Sequence, residues 1–314
     1  MVKILVIGDL HGRMPRIHFK EFDYILCVGD VCSDKDFRPY INKWFKFLKT
    51  SEEKLSFKQY LELEIRDKSY DFLIDESILA GRKVLEYLNS FNVPVLFVPG
   101  NWDESYGPTR IKDMDKNDYT YSRGFLDFWL GRNSNKKLIS RLENVYDLQY
   151  RLIEFEGLNF LGYGLISAPE NFDKRFKNYD LTSNQRESLL KLSKKIPKRL
   201  NDLWKKRNKK VPSIFVSHNV PHGVMDIIYD KKSHAHLKHA GSTVARDFCL
   251  KKKPEICVGG HIHEYYGRRK LGETIVVNAG FGRDAQVLLE VKGKKVKVEF
   301  VKSLIEKYRK KKKN

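Results

Sequence analysis

The sequence contains few cysteines and no long apolar run. Only four of its 314 residues are cysteines, and no two of them form a Cys-x-x-Cys pair. Cys27 and Cys257 stand inside apolar, strand-like runs, so we expect buried reduced thiols instead of disulfides or a structural zinc site. No stretch approaches the roughly 18 apolar residues that cross a bilayer. Met1 leads straight into a strand pattern and not into a signal peptide, so we expect a cytoplasmic protein without a membrane span.

Acidic residues are outnumbered by basic ones. The chain has 60 Lys and Arg against 40 Asp and Glu, a formal net charge of +20, and much of the excess lies in residues 191–210 and 307–313. Basic patches attract polyanions such as nucleic acid. A lysine-rich composition is also typical of heat-adapted proteins. The charge therefore leaves open whether these segments bind nucleic acid or are solvated faces.

The length and composition fit one globular domain with insertions. With 41% hydrophobic and 12% aromatic residues, a chain of this size can bury a large core. We predict a single domain over 1–301, with helical insertions at about 35–80, 104–144 and 171–210, and a basic tail over 302–314. Aromatic residues in the insertions either pack a small core of their own or stack on nucleic-acid bases.

Five predicted strands are each followed directly by polar side chains. The first, Ile4–Ile7, is an unbroken aliphatic run that is typical of a strand buried on both faces. Between the strands we predict helices that begin near Pro15 and span about 78–88 and 244–250. Ligands bind at the carboxyl ends of strands in open α/β sheets, so we expect the polar residues there to converge. They are Asp9, His11, Asp30, Asn101, His218, His261 and His263.

This set of side chains predicts a metal site. Taken singly, an Asp after Gly is usually a turn residue, and a lone His is usually a surface residue. Seven oxygen and nitrogen ligands without a thiolate suit divalent ions such as manganese, iron, zinc or magnesium. Seven ligands exceed what one ion needs, but they suit two ions that share a carboxylate at a separation of roughly 3.5–4 Å. Such a pair holds a bridging hydroxide that can attack a phosphate ester.

The strand ends also resemble the motifs of the calcineurin-like metallophosphoesterase superfamily. The resemblance runs from Val2 to about Gly282, with the motifs in the family order, and leaves out the insertions at 35–80 and 104–144. The matching stretches are Gly8-Asp9-Leu10-His11-Gly12, Gly29-Asp30, Gly100-Asn101-Trp102-Asp103, Ser217-His218 and Gly260-His261-Ile262-His263.

The resemblance implies a fold, a ligand set and a substrate class. The fold is α/β, a four-layer αββα sandwich with the dinuclear site along one edge. Asp9, His11 and His263 would bind one metal ion, Asn101, His218 and His261 the other, and Asp30 would bridge them. We expect manganese, with iron, zinc, nickel or magnesium as alternatives, and a phosphate-ester substrate.

One position departs from the family pattern. The family commonly has Gly-Asn-His followed by Asp or Glu, and its His stabilises the transition state or protonates the leaving group. Trp102 occupies that position here, and an indole cannot supply a proton. Asp103 would then lack its usual partner, or cap a helix. The candidates for a replacement are His222, His234, His236 and His239.

Three functions follow from these observations. The first is a metal-dependent phosphoesterase that hydrolyses phosphodiesters, with Asp30, Asn101, His218, Asp103 and His222 as candidate catalytic residues. The second is a nuclease with the same metal site that holds DNA or RNA on its basic surface. The third is a non-catalytic scaffold, like the retromer subunit that resembles this family. The sequence does not indicate an oligomeric state.

Overall fold

The structure, a computed structural model, describes residues 1–53, 55, 57–65, 69–103, 138–139, 141–164, 170, 183–231, 233 and 235–311. Its strands, in chain order, are β1 (Val2–Ile7), β2 (Tyr24–Cys27), β3 (Val95–Phe97), β4 (Val145–Asp147), β5 (Leu152–Phe155), β6 (Leu158–Tyr163), β7 (Ser213–Asn219), β8 (Ile256–Gly260), β9 (Gly267–Leu271), β10 (Thr274–Asn278), β11 (Gln286–Lys292) and β12 (Lys295–Phe300). The helices are α1 (Arg38–Thr50), α2 (Phe57–Glu64), α3 (Tyr70–Asn89), α4 (Ser183–Lys205), α5 (Thr243–Lys252) and α6 (Lys302–Lys311).

The strands form two mixed sheets of six. The first has the order β12-β11-β1-β2-β3-β4, and the second has the order β5-β6-β7-β8-β10-β9. In each sheet the neighbouring strands β1 to β4, or β6 to β8 and β10, run parallel. Because parallel strands end at the same edge, the polar residues that follow them are brought to that edge.

The apolar residues alternate between three layers of core. Between the sheets, Ile4, Val6 and Leu26 of the first sheet belong to the same cluster as Val216 and Val258 of the second. Sheets packed in this way bury the alternate residues of each strand.

Helices cover the two outer faces. Leu5, Ile7 and Ile25 of the first sheet pack with residues of α3 such as Leu85 and Leu88. On the second sheet, a cluster combines Phe215 and Cys257 with Leu200 and Trp204 of α4 and Phe248 of α5. The predicted four-layer αββα arrangement is therefore confirmed.

The aromatic residues of the first insertion contact one another. The Phe37 ring lies 6.3 Å from that of Phe57, which lies 5.4 Å from that of Trp44. Phe47 and Tyr60 pair at 5.2 Å between α1 and α2. These contacts favour a small core over a nucleic-acid stacking surface in this segment. Most of the second insertion, and residues 171–182 of the third, lie outside the described residues.

The predicted helix near Pro15 is wrong. Residues 13–22 have no helical turn, because their backbone bonds to the first sheet instead. The Arg16 amide donates to the Arg283 carbonyl over 2.8 Å, and the His18 amide donates to Gln286 Oε1 over 3.0 Å. The predicted helix at 78–88 is the second half of the longer α3.

The C-terminal segment 302–311 is a helix, α6, and Leu304, Ile305 and Tyr308 on it pack against the core between the sheets. All four cysteines are buried free thiols. Within the described part of the chain, no helix combines the length and apolar character that a membrane span requires.

Candidate metal centre

Two groups of ligand atoms lie at the shared edge of the sheets. Each group offers three ligand atoms that all lie within 4.8 Å of one another. Asp9, His11 and His263 form the first group, and Asp30, His218 and His261 form the second. Asn101 joins the second group, because its Oδ1 lies 3.0 Å from His218 Nε2.

Asp30 lies between the two groups. Its Oδ2 is 3.6 Å from Nε2 of His11 and also 3.6 Å from Nε2 of His218. Its other oxygen, Oδ1, accepts a hydrogen bond of 2.8 Å from the amide of Trp102. One carboxylate oxygen thus faces both groups, while the other is held by the backbone.

Neighbouring groups orient the histidine rings. His218 Nδ1 lies 2.8 Å from the Val28 carbonyl oxygen. A carbonyl can only accept, so Nδ1 carries the proton and Nε2 presents a lone pair. His11 Nδ1 lies 3.1 Å from Asp34 Oδ2, and the same oxygen pairs with the Arg38 guanidinium. Outer carboxylates of this kind fix the tautomer of a metal-binding histidine.

The backbone at the strand ends is reversed to aim these side chains. Asp9, His11, Asp30 and His261 have φ of 51°, 48°, 53° and 66°. Few residues other than glycine adopt this left-handed region, and such strain concentrates at functional sites. The neighbouring Gly260 admits the close approach, since a Cβ there would collide with Asp9 Oδ2.

Asp103 is buried, and four backbone amides donate to its two oxygens. Oδ2 accepts from Asp30 and Gly100 at 2.8 and 2.7 Å, and Oδ1 accepts from Val31 and Cys32 at 2.8 and 3.0 Å. The carboxylate therefore ties the loop after β2 to the loop after β3. Trp102 stacks on Phe37 with ring centroids 5.7 Å apart and packs against the first outer cluster.

The electrostatics of the centre favour bound cations. Burial raises the pKa of Asp9 to about 6 and raises that of Asp30 well above its usual range. Burial lowers the pKa of His11 and His218, and lowers that of His263 to about 3. Neutral imidazoles are the form that binds metal, and divalent cations would offset the cost of burying the carboxylates.

Unsatisfied polar atoms point to the same conclusion. Asp9 Oδ1 and His11 Nε2 are buried and make no hydrogen bond within the part of the chain that the structure describes. Buried polar atoms without a partner are rare and call for an explanation. An oxygen and a nitrogen ligand that both face one group of three fit a divalent ion.

The structure places His222 in the loop 220–242, where its amide donates to the Ser242 carbonyl and its ring lies 5.3 Å from that of His239. His236 and His239 lie in the same loop, and His234 lies outside the described residues. The sequence analysis did not single out Asp34, because one carboxylate in a polar loop gives no distinct signal. It also missed Phe281, whose ring stacks on that of His263 at 4.0 Å.

Comparisons with known proteins agree with this site. A family model described as calcineurin-like phosphoesterase matches residues 2–265. One solved structure is 18% identical, with a TM-score of 0.53, over 95% of this chain and 98% of that chain. At this identity the likeness shows the fold alone.

Other matches are weaker. Phosphopantetheinyl hydrolase from Mycobacterium tuberculosis is 11% identical with a TM-score of 0.46 over 90% of each chain. A dimetal phosphatase from Danio rerio is 10% identical with a TM-score of 0.40 over 95% of this chain and 98% of that chain. No curated protein matches the chain. Because the family model spans most of the sequence, the chain belongs to the calcineurin-like phosphoesterase family, a family of metal-dependent phosphoesterases.

Proposed function

We propose that this protein is a dinuclear metal-dependent phosphoesterase that acts on phosphodiesters. The observation that carries the proposal is the position of Asp30 Oδ2, 3.6 Å from both His11 Nε2 and His218 Nε2. A carboxylate oxygen midway between two sets of ligands is what a shared ligand of two ions requires. In this proposal Asp9, His11 and His263 hold one ion, Asn101, His218 and His261 hold the other, and Asp30 bridges them.

The residues of the chain have distinct tasks in this proposal. Divalent ions at such a site act as Lewis acids and lower the pKa of coordinated water. Asp30 sets the separation of the two ions through Oδ2, while the Trp102 amide holds Oδ1 in place. The Val28 carbonyl keeps the His218 ring in the tautomer whose Nε2 faces Asn101 and Asp30. The site therefore needs no protein base to prepare the attacking water.

Manganese is the ion that we propose for both positions. Imidazole together with carboxylate and amide oxygens suits manganese, and also admits iron, zinc, nickel and magnesium. We propose phosphodiesters as substrates because no histidine follows Asn101. The best substrates should therefore be those whose leaving group needs little help at that position.

The test is metal content and activity measured on the same sample. The protein is stripped with a chelator, reconstituted with each metal, and assayed on bis(p-nitrophenyl) phosphate and p-nitrophenyl phosphate. We expect two ions per chain and preferential diester hydrolysis. Asp30→Asn should bind one ion fewer and lose more than about 10²-fold in rate, beyond the loss typical of an outer-shell residue.

The exposed Asp36→Asn is the control and should match the wild type. A single ion per chain, with Asp30→Asn unchanged in metal content, would reject the bridging role. Two ions without activity on either ester would favour the scaffold function instead.

A nuclease with the same centre is the second candidate. One observation favours it: Lys195, Lys198, Arg199 and Lys206 line a groove of about 370 Å³ along α4. A groove of positive charge can follow a nucleic-acid backbone. Asp202 lies in the same groove and pairs with Lys198 at 3.6 Å, which reduces the net positive charge.

A further inference from the structure

The loop 220–242 lies beside the strand ends that carry the ligands of the second group. It begins directly after β7, which contains His218. Its two ends are joined, because the Ser242 amide donates to the Val220 carbonyl and the His222 amide donates to the Ser242 carbonyl, both over 2.8 Å. Asn219, the residue after His218, donates from Nδ2 to the Ala240 carbonyl over 2.8 Å. Ala240 is therefore fixed next to a ligand-bearing residue.

The same loop packs against the segment that contains His261 and His263. Val220 forms a small apolar cluster with Ile262 and Tyr265, and Ile228 and Ala240 pack against this cluster. The Tyr229 amide donates to Glu264 Oε1 over 3.2 Å. The loop is thus a wall of the metal centre, held at several points next to three of the ligands.

A buried carboxylate orients one histidine of this wall. Asp226 is 1% exposed, and its Oδ1 lies 2.6 Å from Nδ1 of His239. Its Oδ2 accepts from the amides of Gly223 and Gly241 at 2.8 and 3.1 Å. A carboxylate oxygen can only accept, so Nδ1 of His239 carries a proton and Nε2 is the atom available for exchange. The His239 side chain is 46% exposed, so its tip can meet a substrate.

We propose that His239, oriented by Asp226, protonates the leaving oxygen of the substrate. This inference rests on the phosphoesterase activity proposed above. As the phosphorus–oxygen bond breaks, its electron pair stays on the leaving oxygen, and that oxygen takes the proton from Nε2 of the imidazolium. The neutral ring then takes up a proton from solvent before the next turnover. A carboxylate that holds the ring and stabilises its charged form is a common support for such a donor.

The proposal accounts for the tryptophan at position 102. Trp102 lacks a transferable proton, and its ring stacks on Phe37. The leaving group therefore needs a donor from another element, and His239 is the described loop histidine for which a buried carboxylate partner is recorded. His236 has a buried Nδ1 that bonds to nothing in the described residues. His222 is the alternative donor, since its ring lies 5.3 Å from that of His239.

The test is a leaving-group series on the reconstituted enzyme. Alkyl and aryl phosphodiesters whose leaving groups differ in pKa are assayed at equal, measured metal content, in single turnover so that chemistry limits the rate. We expect a shallow dependence on leaving-group pKa for the wild type. His239→Gln should lose about 10²-fold or more on alkyl esters, the usual range for general acid catalysis, and little on the p-nitrophenyl ester. Asp226→Asn should steepen the series in the same direction, by less.

His18→Gln is the matched control. His18 also pairs with a carboxylate, Asp284, at 3.2 Å, and it is similarly exposed at 36%, but it lies outside the loop. It should follow the wild-type series at every leaving group. His222→Gln should do so as well, apart from a change common to all esters.

Two results would overturn the role of His239 while leaving the proposed function intact. The first is an active wild type whose slope His239→Gln leaves unchanged, or lowers in parallel for all esters with a loss of metal or of thermal stability, which indicates a structural residue. The second is a steeper series for His222→Gln and not for His239→Gln, which transfers the role to His222. A wild type with two ions and no esterase activity would overturn the proposed function, and the role of His239 with it.

Discussion

Asp103 acts on the metal centre through the backbone. The amides of Asp30 and Gly100 donate to one of its oxygens, and those of Val31 and Cys32 donate to the other. Burial raises the pKa of Asp103, and the four donors act in the opposite direction. Because Asp30 and Asn101 stand in the loops that these bonds join, the carboxylate holds two ligands at a fixed separation.

Asp103→Asn should therefore destabilise the fold as well as the site. An amide offers one acceptor oxygen where the carboxylate offers two, so two buried N–H groups lose their acceptor. Each unsatisfied group costs about 1–3 kcal/mol, and part of this cost is recovered because a neutral side chain is easier to bury. We expect a loss of about 2 kcal/mol in the free energy of unfolding, measured with urea on metal-free protein.

The exposed Asp36→Asn controls for the loss of one negative charge and should leave the unfolding midpoint unchanged. Wild-type stability in Asp103→Asn, together with a changed leaving-group series, would contradict the backbone role. It would instead favour the role predicted from the sequence, in which Asp103 partners a proton donor.

The positions of the ligands could be predicted from the sequence because each follows a buried strand. Parallel strands such as β1 and β2 are continuous apolar runs, and the sheet then brings Asp9 and Asp30 to one edge. The task of Asp103 could not be predicted in this way, because its partners are backbone amides 71 to 73 residues away. The pairing of Asp226 with His239 also depends on loop geometry that no periodicity encodes.

Among the elements, strands with strong apolar runs were predictable and those defined by their neighbours were not. The short β4 and the edge strand β9 were missed. β9 carries Arg268, Arg269 and Lys270, all exposed, and it is a strand only because it pairs with β10. Segment 13–22 gave the opposite error, because contacts with Arg283 and Gln286 override the local preference for a helix.

The C-terminal helix α6 is connected to the metal centre through one aromatic residue. The Phe281 amide donates to the Tyr308 hydroxyl over 3.2 Å, and the Phe281 ring stacks on that of His263 at 4.0 Å. The Tyr308 ring lies 5.5 Å from the ring of Tyr266 in the core. The sequence predicted a basic tail here, but the apolar face of the helix supports a ligand-bearing part of the centre.

Tyr308→Ala should therefore weaken one metal position more than the other. Loss of the hydroxyl and the ring frees Phe281, which in turn loosens His263. We expect about a 10-fold loss of affinity at the position formed by Asp9, His11 and His263, the low end for an outer-shell change. Titration calorimetry of the stripped protein should resolve it as a change in one of two binding steps.

Tyr308→Phe keeps the ring and should lose less affinity than Tyr308→Ala. Ser303→Ala changes an exposed residue of the same helix and should bind both ions as the wild type does. An equal loss at both positions in Tyr308→Ala would indicate general destabilisation and would contradict the specific connection.

The net charge of the whole molecule is the remaining guide to its substrate. A charge of +20 attracts any polyanion, so binding alone does not identify a nucleic-acid site. What distinguishes a site is where the charge acts. The groove residues Lys195, Lys198, Arg199 and Lys206 lie together on α4, whereas Arg268, Arg269 and Lys270 lie on the edge strand β9, where charge also prevents sheet-to-sheet association.

The nuclease candidate predicts a salt dependence that belongs to the α4 groove. Affinity for single-stranded DNA should fall linearly on a log–log plot against salt, with a slope of about −0.7 for each phosphate that is contacted. Replacing the four groove cations by Gln should make the slope shallower by up to about 3, if each contacts one phosphate. Replacing Arg268, Arg269, Lys270 and the exposed Lys295 by Gln removes the same charge and should leave the slope unchanged. Fluorescence anisotropy with inactive Asp30→Asn protein provides the measurement without cleavage. An equal change of slope in both variants would mean that only net charge matters, and no salt-dependent binding in the wild type would mean that the basic surface is solvated. Either result would leave a small phosphodiester as the substrate, because the metal centre would then act without a nucleic-acid site beside it.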